Sequence, residues 1–208
     1  MTDQRNAVRR GYDEVAETYL DERSPDPEEI ELLGKFSDRL PVDGVVLDAG
    51  CGAGDPVAAT LTTDFGVVGM DISSRQLELA AGLVPGARLL QGDLTTLPFG
   101  ADAFDGIVAF HSLIHVPTER HAGVYEEFGR VVRPGGHLLV TVGPDAWEGT
   151  NPDWLDAGGE MQWSFPDLEV SLGHLGDAGF EVRDHVNVGD ELGGSWEYVL
   201  ARRRDASR

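Results

Sequence analysis

The fold is decided by the stretch Gly44-Val45-Val46-Leu47-Asp48-Ala49-Gly50-Cys51-Gly52-Ala53-Gly54. Its first half is a short apolar run after a glycine, a pattern that is typical of a buried strand in a parallel sheet. Its second half, from Asp48 onward, contains mostly small residues at a turn that leads into a helix, so the backbone can approach a ligand closely. The stretch therefore predicts the first strand and the ligand-binding turn of an α/β protein.

Strand and helix patterns alternate on both sides of this stretch. Upstream, apolar positions at steps of three and four predict amphipathic helices over 4–22 and 28–39. Downstream, helical patterns over 74–84 and between Pro117 and Pro134 separate four strand-like runs, at 65–71, 87–93, 104–110 and 137–142. Such alternation with short connections predicts a doubly wound, mostly parallel α/β sheet with helices on both faces.

The last third of the chain breaks this rhythm. Residues 143–165 contain three tryptophans but show no sustained period, and a helix is predicted over 166–178. The strand candidates 180–188 and 195–202 are joined by a short turn region at 189–194. Because a parallel crossover needs a dozen residues or more, these two strands are expected to be antiparallel.

Composition limits the class of protein. The chain has 208 residues, of which 41% are hydrophobic, enough for a single domain over 1–208. The polar N-terminus and the lack of a long apolar run predict neither a signal peptide nor a membrane span. The single cysteine, Cys51, suits a reducing interior, so a cytoplasmic protein is expected.

Acidic residues greatly outnumber basic ones. The sequence has 37 Asp and Glu against 16 Lys and Arg, a net charge of −21. Such a surface repels phosphate backbones, so nucleic acid is an unfavourable partner. Two interpretations of the charge remain open: adaptation to high salt, and selection of a cationic partner.

Three aspartates follow successive predicted strands. Asp48 opens the glycine turn, Asp71 ends the next strand, and Asp93 ends the one after that. A carboxylate beside the turn disfavours a pyrophosphate and suits a ligand with an amine and a sulfonium. In this fold a carboxylate at Asp71 accepts hydrogen bonds from a ribose, and Asp93 lies close enough to reach an adenine amine. Each aspartate alone is equally well explained as a cap or turn residue, but their common register predicts a nucleoside site.

Four segments match, in order, motifs of the class I S-adenosylmethionine-dependent methyltransferases, at 46–54, 69–73, 92–94 and 130–136. The chain resembles this Rossmann-like family over nearly its whole length. Within the family it resembles the members that methylate small molecules. The resemblance implies a seven-stranded sheet with an antiparallel last strand, S-adenosylmethionine as the cofactor, and a helical lid over residues 1–40. Together with the strand-end aspartates it predicts cofactor contacts by Tyr19, Asp48, Gly50, Cys51, Gly52, Gly54, Asp71, Ile72, Gly92, Asp93, Leu94 and Phe110.

Methyl transfer from a sulfonium is an in-line displacement to which an enzyme contributes mainly by alignment. A base is required only if the accepting atom is protonated when it attacks. His111 and His115 follow the fourth predicted strand and are the candidate catalytic residues, although His115 could instead brace the following turn. No metal site is predicted, because the two histidines lack the intervening Glu of H-E-x-x-H and a third ligand in fixed register.

The segment 143–165 is the expected acceptor-side insertion, because loops that follow strand ends carry specificity in this fold. Acceptor contacts are predicted at Tyr12, Trp147, Glu160 and Trp163, which suit an amine, a cation or an uncharged ring. The alternatives are packing roles, for Tyr12 within its helix and for the tryptophans within a surface flap. Taken together, the sequence predicts methyl transfer to a small-molecule acceptor by a monomer or homodimer.

Two other functions remain possible on sequence grounds. The first is a NAD(P)-dependent oxidoreductase, which is disfavoured because Asp55 occupies the place of the third glycine in the dinucleotide fingerprint G-x-G-x-x-G. The second is a catalytically silent subunit that binds the cofactor. An intact glycine turn favours ligand binding but does not distinguish this subunit from an enzyme.

We expect the melting temperature to rise between low salt and molar salt, because ions screen the repulsion among the excess carboxylates. Thermal unfolding of the purified chain, followed by circular dichroism in a series of KCl concentrations, measures this. A melting temperature that does not respond to salt would exclude salt adaptation and leave selection of a cationic partner as the explanation of the charge.

Overall fold

A seven-stranded sheet forms the centre of the protein in the computed structural model, which describes residues 2–190 and 194–205. A separate two-stranded hairpin contains β6 and β7. In chain order the strands are β1 Val45–Ala49, β2 Gly66–Asp71, β3 Arg88–Gln91, β4 Phe104–Ala109, β5 Val132–Val142, β6 Trp147–Trp154, β7 Gly159–Phe165, β8 Phe180–Gly189 and β9 Ser195–Arg203. The order across the main sheet is β3-β2-β1-β4-β5-β9-β8.

The strand directions agree with the sequence prediction. β1 pairs in parallel with β2 and β4, β2 with β3, and β4 with β5. β9 runs antiparallel to both of its neighbours, β5 and β8. The prediction of a mostly parallel seven-stranded sheet with an antiparallel last strand is therefore confirmed. Part of the predicted turn at 189–194 lies outside the described residues.

Helices cover both faces of this sheet. They are α1 Thr2–Glu22, α2 Pro27–Ser37, α3 Val57–Leu61, α4 Ser74–Leu83, α5 His121–Val131 and α6 Leu168–Asp177. Successive strand residues point to opposite faces, so Leu47 packs in one core with α5 and α6, while Val46 packs in a second core with α2 and α3. Among the described residues, no helix is both long enough and apolar enough to cross a membrane.

The structure adds two features that the sequence patterns did not predict. Residues 143–165 contain the antiparallel hairpin of β6 and β7. β6 is almost entirely exposed, so it lacks the alternation of apolar and polar residues by which a half-buried strand is recognised. α5 is shorter than the interval from Pro117 to Pro134, because a 3-10 turn at Thr118–Arg120 precedes it and β5 begins directly after it.

α1 packs against β7 at a distance that only glycine permits. A Cβ atom added at Gly11 would lie 2.1 Å from the carbonyl oxygen of Glu160. One added at Gly159 would lie 2.4 Å from Cγ1 of Val15. α1 is also held on its other side, where the Ser73 hydroxyl donates to the Asp13 carboxylate at 2.7 Å. The helix is thus fixed between the hairpin and the start of α4.

We expect Gly11→Ala and Gly34→Ala to change stability in opposite directions, although both replace a glycine within a helix. Alanine favours a helix by about 0.8–1 kcal/mol, and a Cβ at Gly34 meets nothing within 4 Å, so Gly34→Ala should raise the melting temperature. At Gly11 the clash should outweigh this gain and destabilise the protein by about 1–3 kcal/mol.

Thermal unfolding measures both variants, with about 2–4 °C expected for each kcal/mol in a chain of this size. If Gly11→Ala raises the melting temperature as much as Gly34→Ala does, the close contact between α1 and β7 is wrong.

Candidate functional site

A cavity of about 350 Å³ lies at the carboxyl ends of β1, β2 and β4, beside α1. The parallel register brings these strand ends together, since Ala49 pairs with Met70 and Asp48 with Val108. Gly54 does not line the cavity, because its backbone faces the side chain of Val84. The other residues predicted for the cofactor do line it, together with Tyr12 and both candidate histidines: Tyr12, Tyr19, Asp48, Gly50, Cys51, Gly52, Asp71, Ile72, Gly92, Asp93, Leu94, Phe110, His111 and His115.

The glycine turn is tightly packed against the loop that follows β4. Gly50 has a φ of +84°, which favours glycine, and a Cβ there would lie 2.2 Å from the Ser112 Cβ. The Ser112 hydroxyl donates to the Ala49 carbonyl at 2.7 Å. The amides of Gly50 and Cys51 both donate to the Met70 carbonyl, at 2.7 and 3.0 Å. These contacts fix the turn independently of any ligand.

The Asp71 carboxylate joins two elements of the cavity wall. One oxygen accepts the Gly52 amide at 2.9 Å, and the other accepts the Ser73 amide at 2.8 Å. Ser73 in turn caps α4. Burial raises the pKa of Asp71 above its usual value. Asp71 therefore stabilises the turn and also lies on the cavity wall. The sequence had left open whether it is a turn residue or part of a ligand site.

Two residues that line this cavity also have buried polar atoms without partners. Among the described residues, Oδ2 of Asp48 and both amide atoms of Gln76 have no hydrogen-bond partner. Burial, aided by the charge of Asp71, raises the pKa of Asp48. Buried groups of this kind are costly unless a ligand pairs with them. The two carboxylates can accept hydrogen bonds from the amino and hydroxyl groups of S-adenosylmethionine, and the amide of Gln76 can both donate and accept.

Sequence reasoning missed Gln76, although one signal was available. Gln76 lies three residues after the capping residue Ser73, so it falls on the first turn of α4 beside the strand end. It is 1% exposed, which is unusual for a glutamine. A polar residue at the inner position of such a turn is a candidate ligand contact.

Asp93 is already engaged on both carboxylate oxygens. One accepts the amide and the hydroxyl of Thr95, at 2.8 and 2.9 Å. The other pairs with Nε of Arg5 on α1, also at 2.8 Å. The Arg5 side chain is 56% exposed, so this pair is partly screened by water. Arg5 was not predicted, because nothing in the sequence around it indicates a contact with a residue so distant in the chain.

The hydrogen bonds of His115 define which of its nitrogens carries the proton. Nδ1 lies 2.8 Å from the Gln162 carbonyl, which can only accept, so Nδ1 donates. In the neutral ring Nε2 then accepts the hydroxyl of Tyr12 at 2.8 Å. Burial lowers the pKa of His115 to about 4 and raises the pKa of Tyr12. Both side chains are therefore neutral at neutral pH, and they connect α1 to β7.

His111 lies in a second buried network, with a left-handed φ of +48°. Its Nε2 is 2.7 Å from the Tyr198 hydroxyl and 3.1 Å from Glu29, which also binds Arg23 at 2.6 Å. Burial lowers the pKa of His111. Burial also favours protonation of Glu29, but hydrogen bonds from His111 and Tyr198 and the charge of Arg23 hold its pKa at about 2.

Glu29 was missed because its sequence position indicates only a helix start. It forms a capping box with Asp26 at the beginning of α2, a role that explains a glutamate without any contact to a site. The partner Tyr198 is 169 residues away. In the described part of the chain, no group of three or more His, Cys, Asp and Glu side chains could hold a metal ion.

A second cavity, of about 550 Å³, adjoins the first. The two share Tyr12, Tyr19, Arg23, His111 and His115. We call the second cavity the aromatic chamber, because seven Tyr, Trp and Phe side chains line it: Tyr12, Tyr19, Trp147, Trp154, Trp163, Phe165 and Trp196.

Some of the residues that were predicted to contact the acceptor line this chamber, and one does not. Tyr12, Trp147 and Trp163 line it, whereas Glu160 is exposed and bonds the Gln162 side chain away from the wall. Trp154 and Trp196 line it but were not predicted. Which residues of a hairpin face a cavity depends on its register, which the sequence pattern of β6 did not reveal.

Comparisons with known proteins agree with this architecture. Residues 46–136 match a family model described as a methyltransferase domain. The sterol 24-C-methyltransferase of Debaryomyces hansenii is 29% identical over 177 residues, which cover 74% of this chain and 46% of that protein. The chain thus spans about half the length of this curated relative.

Solved structures share the fold. A chain described as an S-adenosylmethionine-dependent methyltransferase of Methanosarcina mazei has a TM-score of 0.68 and 22% identity, covering 82% of this chain and 97% of that one. The [4+2]-cyclase SpnF has a TM-score of 0.70 and 22% identity, covering 94% of this chain and 95% of that one. The family and the fold imply S-adenosylmethionine as the cofactor.

We expect His115 to stabilise the protein less as the pH falls. Its pKa is about 4 when folded and 6.5 in the reference state, so below pH 6.5 the unfolded chain binds more protons. The contribution is complete above about pH 6.5 and is lost towards about pH 4, by about 3 kcal/mol at most. Denaturant unfolding of the wild type and of His115→Gln across this pH interval measures the loss. The difference between their free energies of unfolding should become smaller as the pH falls. A difference that stays constant would contradict a neutral, buried His115.

Proposed function

We propose that this chain, in which residues 46–136 match a methyltransferase domain, transfers a methyl group from S-adenosylmethionine to a small-molecule acceptor. The observation that carries the proposal is the junction of two cavities. One is bounded by the glycine turn and the strand-end carboxylates, the other by aromatic rings. Tyr12, His111 and His115 border both, so a donor in one cavity and an acceptor in the other would meet there.

Within the first cavity, the chain's own groups suit the parts of the cofactor. S-adenosylmethionine supplies an electrophilic methyl group on a positively charged sulfur. Asp71 would accept from the ribose hydroxyls, and Gln76 would pair with a neighbouring polar group of the nucleoside. Asp48 has a free buried oxygen and would favour the positive end of the ligand. Gly50 and Gly52 line the same cavity, and their backbone would contact the methionine portion.

Asp93 has a more complex role in this proposal. Its carboxylate is shared between Thr95 and Arg5, so an adenine amine would join an existing ion pair. Arg5 would then contribute to the adenine end of the site together with Leu94, which lines the same cavity. The partly exposed pair adds little stability by itself, so sharing it with a ligand costs little.

At the junction, the chain's groups would orient the acceptor and remove its proton where needed. The neutral Tyr12 and His115 form a hydrogen-bonded pair. A proton from the acceptor would reach the Tyr12 oxygen as the Tyr12 hydroxyl proton moves to Nε2 of His115, but the low pKa of His115 makes this pair a weak base. His111 is held by Glu29 and Tyr198, so it is a rigid border of the cavity. Alignment of donor and acceptor between these fixed groups is the main catalytic contribution that we infer.

A second candidate function is a reaction other than methyl transfer on the same fold. The observation that favours it is the likeness to SpnF, a structure described as a [4+2]-cyclase. A NAD(P)-dependent oxidoreductase is less well supported, because the buried carboxylates of Asp48 and Asp71 would lie near a pyrophosphate. A cytoplasmic location and a monomeric or homodimeric state remain predictions.

We expect the purified chain to bind S-adenosylhomocysteine and S-adenosylmethionine, and not NAD, in isothermal titration calorimetry. Asp71→Asn removes a charged acceptor, and a hydrogen bond to a charged group contributes about 1.5–3 kcal/mol, so Kd should rise about 10- to 100-fold. Asp64→Asn is the matched control, because Asp64 is exposed and lines neither cavity.

Methyl transfer itself is tested by incubation with a metabolite extract and isotopically labelled methyl donor. Labelled product from the wild type, lost in Asp71→Asn, would support the proposal. Binding of S-adenosylhomocysteine without any labelled product would favour a silent subunit or a different reaction. Binding of NAD alone would exclude the proposal.

A further inference from the structure

The aromatic chamber has a composition that selects one class of acceptor. We propose that the acceptor is an alkylated amine with an apolar body, which the chamber binds in its cationic form before the methyl group is transferred to its nitrogen. This inference rests on the proposed function and deepens it, because it names the substrate class for the second cavity.

The rings of the chamber form a continuous wall. Trp154 contacts Tyr19 and Trp163, with ring centroids 5.4 and 5.7 Å apart. Trp163 contacts Trp147 at 5.8 Å, and Trp147 contacts Phe165 at 6.1 Å. A cation within about 6 Å of ring faces is attracted by their quadrupoles, and an alkylated ammonium is less hydrated than a primary one and so is easier to bury. Rings on several sides therefore suit an alkylated ammonium group.

The charged groups on the same wall add to this preference. Asp145 and Asp190 both line the chamber, and Asp190 accepts the indole N–H of Trp196 at 2.5 Å. The cation on the wall, Arg23, is paired with the buried Glu29 at 2.6 Å, so its charge is compensated. The local balance is therefore negative, as is the whole protein at −21.

The histidines on this wall do not oppose a cation. His111 and His115 are neutral at neutral pH, because burial lowers the pKa of each. Nδ1 of His115 donates to a backbone carbonyl, and its Nε2 is an acceptor. A neutral acceptor molecule would find the same rings, but it would gain nothing from the two carboxylates. The charges, rather than the rings alone, distinguish the two cases.

The reaction balances without an additional reagent. The bound ammonium first loses its proton to water, and the exposed Asp145 on the chamber wall would relay that proton. The nitrogen lone pair then forms a bond to the methyl carbon. The bond between that carbon and the sulfur breaks, and its electron pair stays on sulfur. The product is an ammonium with one more methyl group, together with neutral-sulfur S-adenosylhomocysteine.

The proposal is tested with benzyltrimethylammonium and with neopentylbenzene, its uncharged carbon isostere, as product-like probes. Binding to the full chain saturated with S-adenosylhomocysteine is followed by tryptophan fluorescence in the same co-solvent. We expect the cation to bind about 10-fold tighter or better. Trp147→Leu and Asp145→Asn should each weaken cation binding by about 2- to 30-fold, the range of a cation–π contact or a partly screened ion pair.

Both substitutions are at exposed positions, so folding should be preserved, which melting temperatures verify. Glu148→Gln is the matched control, because this exposed carboxylate lies three residues from Asp145 but outside the chamber wall. Equal or tighter binding of neopentylbenzene would overturn the proposal. So would an equal effect of Asp145→Asn and Glu148→Gln, since general surface charge would then explain the cation binding.

The two levels of inference fail in different ways. If S-adenosylhomocysteine binds in calorimetry but the cation shows no preference, only the amine as acceptor is wrong. If S-adenosylhomocysteine does not bind, the proposal of methyl transfer is wrong. The proposal that an amine is the methyl acceptor is then wrong as well.

Discussion

The buried carboxylate of Asp71 is the interaction on which the site depends. It accepts the Gly52 amide and the Ser73 amide, and so joins the glycine turn after β1 to the start of α4. Without it, the Gly52 amide would lose its acceptor, and the buried Ser73 amide would be unsatisfied at a cost of about 1–3 kcal/mol. Burial raises the pKa of Asp48, and the charge of the Asp71 carboxylate adds to this effect. Two acidic groups at the ends of neighbouring strands therefore lie on the cavity wall, where their ionised forms would favour a ligand with positive charge.

The N-terminal helix makes this strand-end crevice into a site with two compartments. α1 contacts Asp93 through Arg5, His115 through Tyr12 and β7 through Gly11, so it touches the first cavity, the junction and the hairpin in turn. The hairpin contributes most of the tryptophans of the aromatic chamber. Because α1 and β7 pack at backbone distance, the residues that border the two compartments are fixed relative to one another. Under the proposed function, specificity for the acceptor would depend on the hairpin, which lies outside the main sheet.

The parts of the site that follow from local backbone requirements could be predicted from the sequence. Glycines at a turn and aspartates at strand ends are constrained within a few residues, so Gly50, Gly52 and Asp71 were placed correctly on the cavity wall. The contacts that join distant segments could not be predicted in this way. Arg5 meets Asp93, and Glu29 meets Tyr198, only because the fold brings them together. Which residues of the hairpin face the cavity could not be predicted from the sequence either, since an exposed strand shows no alternation of apolar and polar residues.

The buried histidines constrain which acceptors this site would serve well. A general base works best when its pKa lies near the working pH, but burial lowers the pKa of His115 to about 4. Its two nitrogens are also occupied, one by the Gln162 carbonyl and the other by Tyr12. Such a group orients a partner well but is a weak proton acceptor. An acceptor that reacts through a lone pair, after its proton has left to water, requires only alignment, and alignment is what the rigid junction between the two cavities provides.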